Sequence, residues 1–287
     1  MYDVIIIGAG PAGITAGLYT QRGNLKTLII HNGKTSLENA SKIENYYGFE
    51  NGITGKELYL RGIKQAQNIG IDVKNEELIK IEMIEKCFKV KTTKNEYISK
   101  TIIIAMGTKK KTLPIDGVKK FEGRGISYCA ICDGFFYRNK DVAVIGNGDY
   151  AISEVNDLLP VVNKITILTN GNKAPDVRSE KVEINNRIIK EILGKEKIEK
   201  IEFFDGTNID VNGIFIAQGT ADSTDIAKKI GLVLENNKIK VNENMETNIK
   251  GIYACGDCIG GTLQISKAVN DGMIAGLNVI KFLNSHK

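Results

Sequence analysis

The sequence predicts an α/β protein of two domains, and two observations carry that expectation. A strand, a glycine turn and a helix occur in succession twice, beginning at Val4 and again at Asp141. The chain has 287 residues, more than one domain usually holds. Its 42% hydrophobic content, with 30 glycines and 4 prolines, suits a globular protein rich in strand–helix turns.

The first signature is Val4-Ile5-Ile6-Ile7-Gly8-Ala9-Gly10-Pro11-Ala12-Gly13, a buried strand running into GxGxxG and then a helix over Ile14 to Gln21. Gly8 allows the tight turn, Gly10 lets the backbone approach a pyrophosphate, and Gly13 permits close helix–strand packing. The helix start supplies N–H donors and a positive dipole end, so this segment is expected to bind a nucleotide. The next strand, Thr27-Leu28-Ile29-Ile30, ends in His31-Asn32 where many such sites carry a ribose-binding acid. The adenosine end must therefore be held differently.

The second signature is Asp141-Val142-Ala143-Val144-Ile145-Gly146-Asn147-Gly148-Asp149-Tyr150-Ala151, again strand, GxGxxA and helix. The strand Lys164 to Leu168 follows and leads to Thr169-Asn170-Gly171-Asn172-Lys173. An NADPH site would place arginines there for the 2′-phosphate, and an NAD site an acid for the ribose. Neither is present. Lys173 and Arg178 are the candidate clamp residues, in a stretch broken by Pro175, and bulky Tyr150 stands where a small residue would leave room. The fold is expected to survive here while the binding chemistry is lost.

Between the signatures lies Cys129-Ala130-Ile131-Cys132-Asp133-Gly134. Two cysteines at this spacing can close a small disulfide ring, and the pairing lowers the attacking thiol's pKa. Asp133 could return a proton to a leaving thiolate. A structural turn or half of a zinc site are the other readings of a lone CxxC. A position between two nucleotide signatures favours redox chemistry.

Composition excludes several classes. Five cysteines (Cys87, Cys129, Cys132, Cys255, Cys258) are too few for a disulfide scaffold, and Cys87 reads as a passenger on a strand. The net charge of +5 comes from clusters such as Lys109-Lys110-Lys111 and Lys119-Lys120, which suit solubility or an acidic partner. Modest charge without interleaved aromatics argues against nucleic acid. No stretch is long and apolar enough to span a membrane, and Met1-Tyr2-Asp3 lacks the basic start of a signal peptide. A cytoplasmic protein is expected.

With the dithiol just before the second signature, the chain resembles the low-molecular-weight thioredoxin reductases over nearly its whole length. The run Gly123 to Phe136 is close to that family's redox motif, and Gly8 to Gly13 matches its FAD fingerprint. Ile43-Glu44-Asn45-Tyr46-Tyr47-Gly48-Phe49 resembles its flavin-side loop, with Asn45 the contact. Ile104-Ala105-Met106-Gly107 resembles the turn beside the cofactor, with Met106 replacing the usual Thr. Gly251-Ile252-Tyr253-Ala254-Cys255-Gly256-Asp257 resembles the motif whose acid, here Asp257, holds the ribityl chain. Gln264 and Ile265 match positions beside the flavin ring, although Leu263 replaces the usual basic residue. Cys255 and Cys258 overlap this motif, so they read as small buried residues, an auxiliary disulfide or, least of all, half of a four-cysteine zinc site; no metal is expected.

The resemblance implies two Rossmann-like (three-layer ββα) domains, the second inserted into the first. Residues 1–112 and 243–287 would form the FAD domain, and 113–242 the dithiol domain, with crossings near Leu113-Pro114-Ile115-Asp116-Gly117 and Asn244-Met245-Glu246-Thr247. The inserted domain reads as shortened. After a helix over Ser179 to Leu193, only 200–204 and 213–219 read as strands, and the family's hairpin between these elements is largely missing. The resemblance also implies a homodimer.

It implies, further, that FAD faces Cys132, that Cys129 attacks the disulfide of thioredoxin, that Cys132 resolves the mixed disulfide, and that Asp133 is the general acid. A subset of the family shares the missing nucleotide clamp and takes electrons from ferredoxin, which makes ferredoxin the expected donor. Two rival readings stand beside it. One is an NAD(P)H-dependent thioredoxin reductase using Lys173 or Arg178 as an unorthodox clamp. The other is a non-catalytic flavin redox sensor, which would leave no trapped disulfide with thioredoxin in a Cys132→Ser variant.

Overall fold

The first strand, Tyr2–Ile7, is the centre of a seven-stranded sheet in a computed structural model that describes residues 1–108, 113–219 and 222–285. Strands Thr27–His31 and Asp72–Asn75 lie on one side of it and Glu96–Ile104 on the other, all parallel. Val4 to Ile7 and Ile102 to Ile104 are buried, the continuous apolar runs that parallel strands covered on both faces require. The strand Glu96–Ile104 divides its outer edge between two partners. Its first residues pair antiparallel with Cys87–Thr92, which in turn pairs with Leu78–Ile84, and its last residues pair parallel with Ile252–Ala254.

Helices Pro11–Arg22 and Ile265–Asn284 pack closely because glycine lies at their crossing. A Cβ on Gly272 would stand 2.1 Å from the Ala12 carbonyl oxygen, and one on Gly276 would stand 2.9 Å from that of Ala16. The C-terminal helix is thereby seated on the glycine turn.

The chain divides into two compact units, Met1–Lys109 with Asp222–Lys287, and Lys110–Ala221. The second is inserted into the first, as expected, but the return crossing comes earlier than 242–247. Residues from Asp222 onward join the first unit. Asp222 caps the helix Ser223–Lys229 in a capping box, the Ser223 hydroxyl donates to the Gly107 carbonyl at 3.1 Å, and Lys238 Nζ reaches the Asp257 carbonyl at 3.5 Å.

The second unit carries five parallel strands in the order Val182–Asn185, Lys164–Leu168, Asp141–Ile145, Gly213–Ile216 and Ile126–Ser127. The helix expected over Ser179 to Leu193 is instead two strands, Val182–Asn185 and Ile189–Gly194. A register shift between Ile189 and Glu191 explains the misreading. It buries Ile189 and Ile192 together, three residues apart, which imitates helical spacing. The hairpin expected to be missing is also present: Ile189–Gly194 pairs antiparallel with Ile198–Phe203, and Asn208–Asp210 completes a three-stranded sheet.

The two units repeat one device. A Cβ on Gly8 would meet the Ala105 carbonyl oxygen at 2.2 Å, and one on Gly146 would meet that of Ala217 at 2.3 Å. Each signature's first glycine is thus pressed against the end of a neighbouring parallel strand. The cluster Lys109 to Lys111 lies outside the described residues, whereas Lys119 and Lys120 are exposed on the short helix Val118–Phe121. No helix among the described residues is long and apolar enough to cross a membrane.

Candidate active site

The dithiol is closed. Cys129 and Cys132 form a disulfide with their Cα atoms 5.3 Å apart, and Cys129 caps the short helix Ala130–Asp133. Cys129 Sγ accepts the Cys132 N–H at 3.3 Å. Cys129 is 2% exposed, while Cys132 faces solvent. Ser127 fixes the acid beside them: its hydroxyl donates to Asp133 Oδ2 at 2.6 Å and accepts the Cys129 N–H at 3.1 Å. Tyr137 follows, packed edge-on against Phe215, and burial followed by the Asp133 charge pushes its phenol pKa up. The three residues expected to act on disulfides are therefore held in one turn by a serine hydroxyl.

A neighbouring helix, Asp149–Leu158, supports that turn. The Tyr150 hydroxyl donates to the Tyr128 carbonyl at 3.2 Å, and Glu154 Oε2 accepts the Ala130 N–H at 2.7 Å. Tyr150 is 2% exposed, so it does not block the mouth of the second glycine turn as the sequence suggested. It turns inward, behind the dithiol. Glu154 escaped sequence analysis because a carboxylate on a helix carries no spacing signal of its own.

In the first unit, a Cβ on Gly13 would stand 1.9 Å from the Gly8 carbonyl oxygen, whereas Gly10 and Gly107 open onto space with no atom within 4 Å of a Cβ. Pro11 begins the helix, where its missing N–H costs nothing, and Ala12 faces Gly256, whose Cβ would lie 2.9 Å from that of Ala12. Asn45 Nδ2 donates to Gln264 Oε1 at 3.1 Å, bringing together two expected flavin-side residues 219 positions apart. Gln264 precedes Ile265, the first residue of the C-terminal helix, and the 44–50 loop borders an open cleft of about 710 Å³.

The Gly256-Asp257 turn is anchored from below. Asp271, 3% exposed, accepts the Gly256 N–H at 3.1 Å, and Lys267 bridges the Asp271 carboxylate at 2.7 Å and the Gly260 carbonyl at 2.6 Å. Asp257 is left half-buried, its carboxylate without a protein partner among the described residues, as a ribityl hydroxyl would need. These features fit FAD. The open glycines would suit its pyrophosphate and Asp257 its sugar chain, and Asn45, Ala105, Gln264 and Ile265 are the further residues that would hold it.

His31 stands where a ribose acid is usual. Its Nδ1 accepts the Gly33 N–H at 3.1 Å and lies 2.9 Å from the Tyr59 hydroxyl, which puts the proton of the neutral ring on Nε2. Burial lowers the pKa of the ring, so the neutral form is the folded form at neutral pH.

Cys255 and Cys258 are unpaired, buried thiols. Burial pushes Cys258 up to about 12 and Cys255 well above its ordinary value. Neither is a nucleophile at neutral pH, and no cluster among the described residues could hold a metal.

The second glycine turn keeps its shape, with Gly148 as open as Gly10. Beyond it, Asn147 Nδ2 donates to the Lys173 carbonyl at 3.2 Å. Arg178 is 93% exposed and its guanidinium sits 3.6 Å from Asp176.

The family model for pyridine nucleotide-disulphide oxidoreductases matches residues 2–272. A thioredoxin reductase of Listeria innocua is 37% identical over all of this chain and 95% of its own length, and one of Bacillus subtilis is 35% identical over 97% and 94%. Among solved structures, the atypical thioredoxin reductase of Desulfovibrio vulgaris Hildenborough superposes with a TM-score of 0.88 at 33% identity, covering 99% of both chains. A ferredoxin-flavin thioredoxin reductase of Clostridium acetobutylicum gives 0.70 at 34% identity, covering 99% of this chain and 98% of that one. The chain belongs to the pyridine nucleotide-disulphide oxidoreductase family, among its FAD-dependent thioredoxin reductases.

Proposed function

We propose that this thioredoxin reductase takes its electrons from a reduced ferredoxin rather than from NAD(P)H, working as a cytoplasmic homodimer. The observation that carries the reading is the loop after Lys164–Leu168. It offers no converging arginines for a 2′-phosphate and no ribose acid, and the Asn147 side chain is spent on the Lys173 backbone. When bound, FAD accepts electrons singly or in pairs and so converts between a one-electron donor and a dithiol. Low-potential ferredoxins lie at about −400 mV and thioredoxin at about −270 mV. Two electrons crossing that gap of about 130 mV release roughly 6 kcal/mol, so the transfer is downhill.

The chain's own residues divide the remaining chemistry. With the dithiol reduced, the Cys129 thiolate attacks one sulfur of the thioredoxin disulfide, and Asp133 protonates the thiolate that leaves. Cys132 then attacks Cys129 Sγ, re-forming the Cys129–Cys132 disulfide and releasing the second thioredoxin sulfur as a thiolate. Two electrons pass to the substrate in each turn. Because Cys129 is buried and Cys132 exposed, uncovering Cys129 is a step of the cycle.

The intact Gly146 and Gly148 geometry favours the second reading, an NAD(P)H enzyme with an unorthodox clamp. Anaerobic mixing of the FAD-loaded protein with reduced ferredoxin, NADPH or NADH separates the two. Rapid flavin bleaching and thioredoxin reduction with ferredoxin alone is the expected result. Rapid turnover with either nucleotide overturns it.

A further inference from the structure

The two glycine turns are built alike, and the place where they differ bears on the electron donor. The Gly8 N–H donates to the Ile30 carbonyl at 2.8 Å, and the Gly146 N–H to that of Leu168 at 3.1 Å. The next residues, His31 and Thr169, therefore hold equivalent positions, at the strand end where a nucleotide ribose is bound. His31 is only half-buried. Thr169 is 1% exposed, its hydroxyl without a hydrogen-bond partner among the described residues.

The loop after Thr169 is stitched down on both sides. On one side, the Thr169 and Gly171 N–H groups donate to the Asn185 and Asn186 carbonyls, each at 3.0 Å. Asn170 Oδ1 accepts the Ile189 N–H at 2.8 Å, and Asn172 Nδ2 turns back to the Thr169 carbonyl at 2.8 Å. On the other side, Asn147, between the two turn glycines, donates to the Lys173 carbonyl at 3.2 Å. The first turn has Ala9 at that place, whose methyl group cannot make such a bond. A dinucleotide sets its pyrophosphate on the glycine turn and its adenosine ribose at the end of the next strand. The Asn147 bond spans the gap between the two.

We propose that Asn147 is a specificity-determining residue: it fastens the 169–173 loop to the second glycine turn and so closes the path of an adenosine ribose. The inference rests on the reading that a nucleotide is not the electron donor. Gly146 and Gly148 keep their geometry, so exclusion lies in a fastened loop rather than in a ruined turn. Only molecules with the loop released can take the ligand, and its affinity falls by that fraction.

The test uses the FAD-loaded protein and ADP, which carries the adenosine and pyrophosphate but cannot reduce a flavin. Asn147→Ala gives the second turn the residues of Gly8-Ala9-Gly10. ADP affinity, read by saturation-transfer NMR, is expected to rise about tenfold over wild type, the scale of one hydrogen bond. Hydrogen exchange is expected to show ADP protecting residues 146–151. An unchanged affinity, or protection elsewhere, overturns the proposal. If NADPH leaves the wild-type flavin oxidised, the donor reading survives that result; if NADPH bleaches it rapidly, both fall. Should Asn147→Ala fail to fold, hydrogen exchange in the wild-type protein decides. The Gly171 and Ile189 amides are expected to exchange at least about tenfold more slowly than in an unstructured peptide. Exchange at the free-peptide rate would mean an open loop and overturn the proposal.

Discussion

Ser127 and Asp133 share a hydrogen bond of 2.6 Å, which turns the carboxyl toward the dithiol and holds it there. A general acid so placed contributes about 10²- to 10⁴-fold to a proton-dependent step. Asp133→Asn is therefore expected to slow thioredoxin reduction by about 100-fold while leaving the rate of flavin reduction by the electron donor unchanged. Stopped-flow measurement of the two half-reactions reads both, and equal slowing of the two would sink the assignment. His31 gives a second residue-scale prediction. Its folded pKa lies below its unfolded value of about 6.5, so the unfolded chain takes up the proton first and stability falls as pH drops through about 6.5. His31→Ala is expected to flatten the fall in melting temperature between about pH 7 and about pH 5. At this scale the sequence was legible wherever chemistry needs a fixed spacing. Cys129, Cys132 and Asp133 are such a set, and so is the run Gly8 to Gly13. Glu154 acts through tertiary placement alone, whereas Lys267 and Asp271 are an i,i+4 pair on one helix, and only their contacts to the Gly256–Gly260 turn go unmarked in the local sequence.

The crossing of Pro11–Arg22 with Ile265–Asn284 joins packing to cofactor chemistry, because Ala12 belongs both to the first turn of one helix and to the glycine loop. A Cβ at Gly272, 2.1 Å from the Ala12 carbonyl oxygen, forces backbone to move rather than a side-chain tip. Gly272→Ala is expected to cost about 1–3 kcal/mol, from overpacking. It should also release FAD at lower temperature than wild type does, since the loop that Ala12 holds shifts with it. Flavin fluorescence followed during heating tests both, and unchanged release would detach the helix crossing from the site. The elements most legible in sequence were the parallel strands with uninterrupted apolar runs, such as Val4 to Ile7 and Val142 to Ile145. The least legible was Ile189–Gly194. There the bulge at Lys190 places Ile189 and Ile192 on one face, and a period-two strand takes on a helix's spacing. That single irregularity hid both a strand and the hairpin it makes with Ile198–Phe203.

On the scale of the whole molecule, the net charge of +5 bears on which partner the protein meets and how fast. The excess does not stabilise the fold, since like charges left over after pairing repel one another. Its physical consequence is long-range attraction of an acidic partner, and that attraction is screened by salt. Raising ionic strength from about 10 mM to about 1 M shortens the screening length from about 30 Å to about 3 Å. If the donor is an acidic ferredoxin, the second-order rate of flavin reduction is expected to fall at least tenfold over that range. The internal step, attack of Cys132 on Cys129 Sγ of the mixed disulfide with release of the thioredoxin thiolate, involves no diffusional encounter and should hold steady. Measuring both under anaerobic conditions separates charge-steered docking from a general effect of salt on the enzyme. A donor reaction as insensitive to salt as the internal exchange would mean that the lysines serve solubility, and the ferredoxin surface would then have to be sought among apolar contacts.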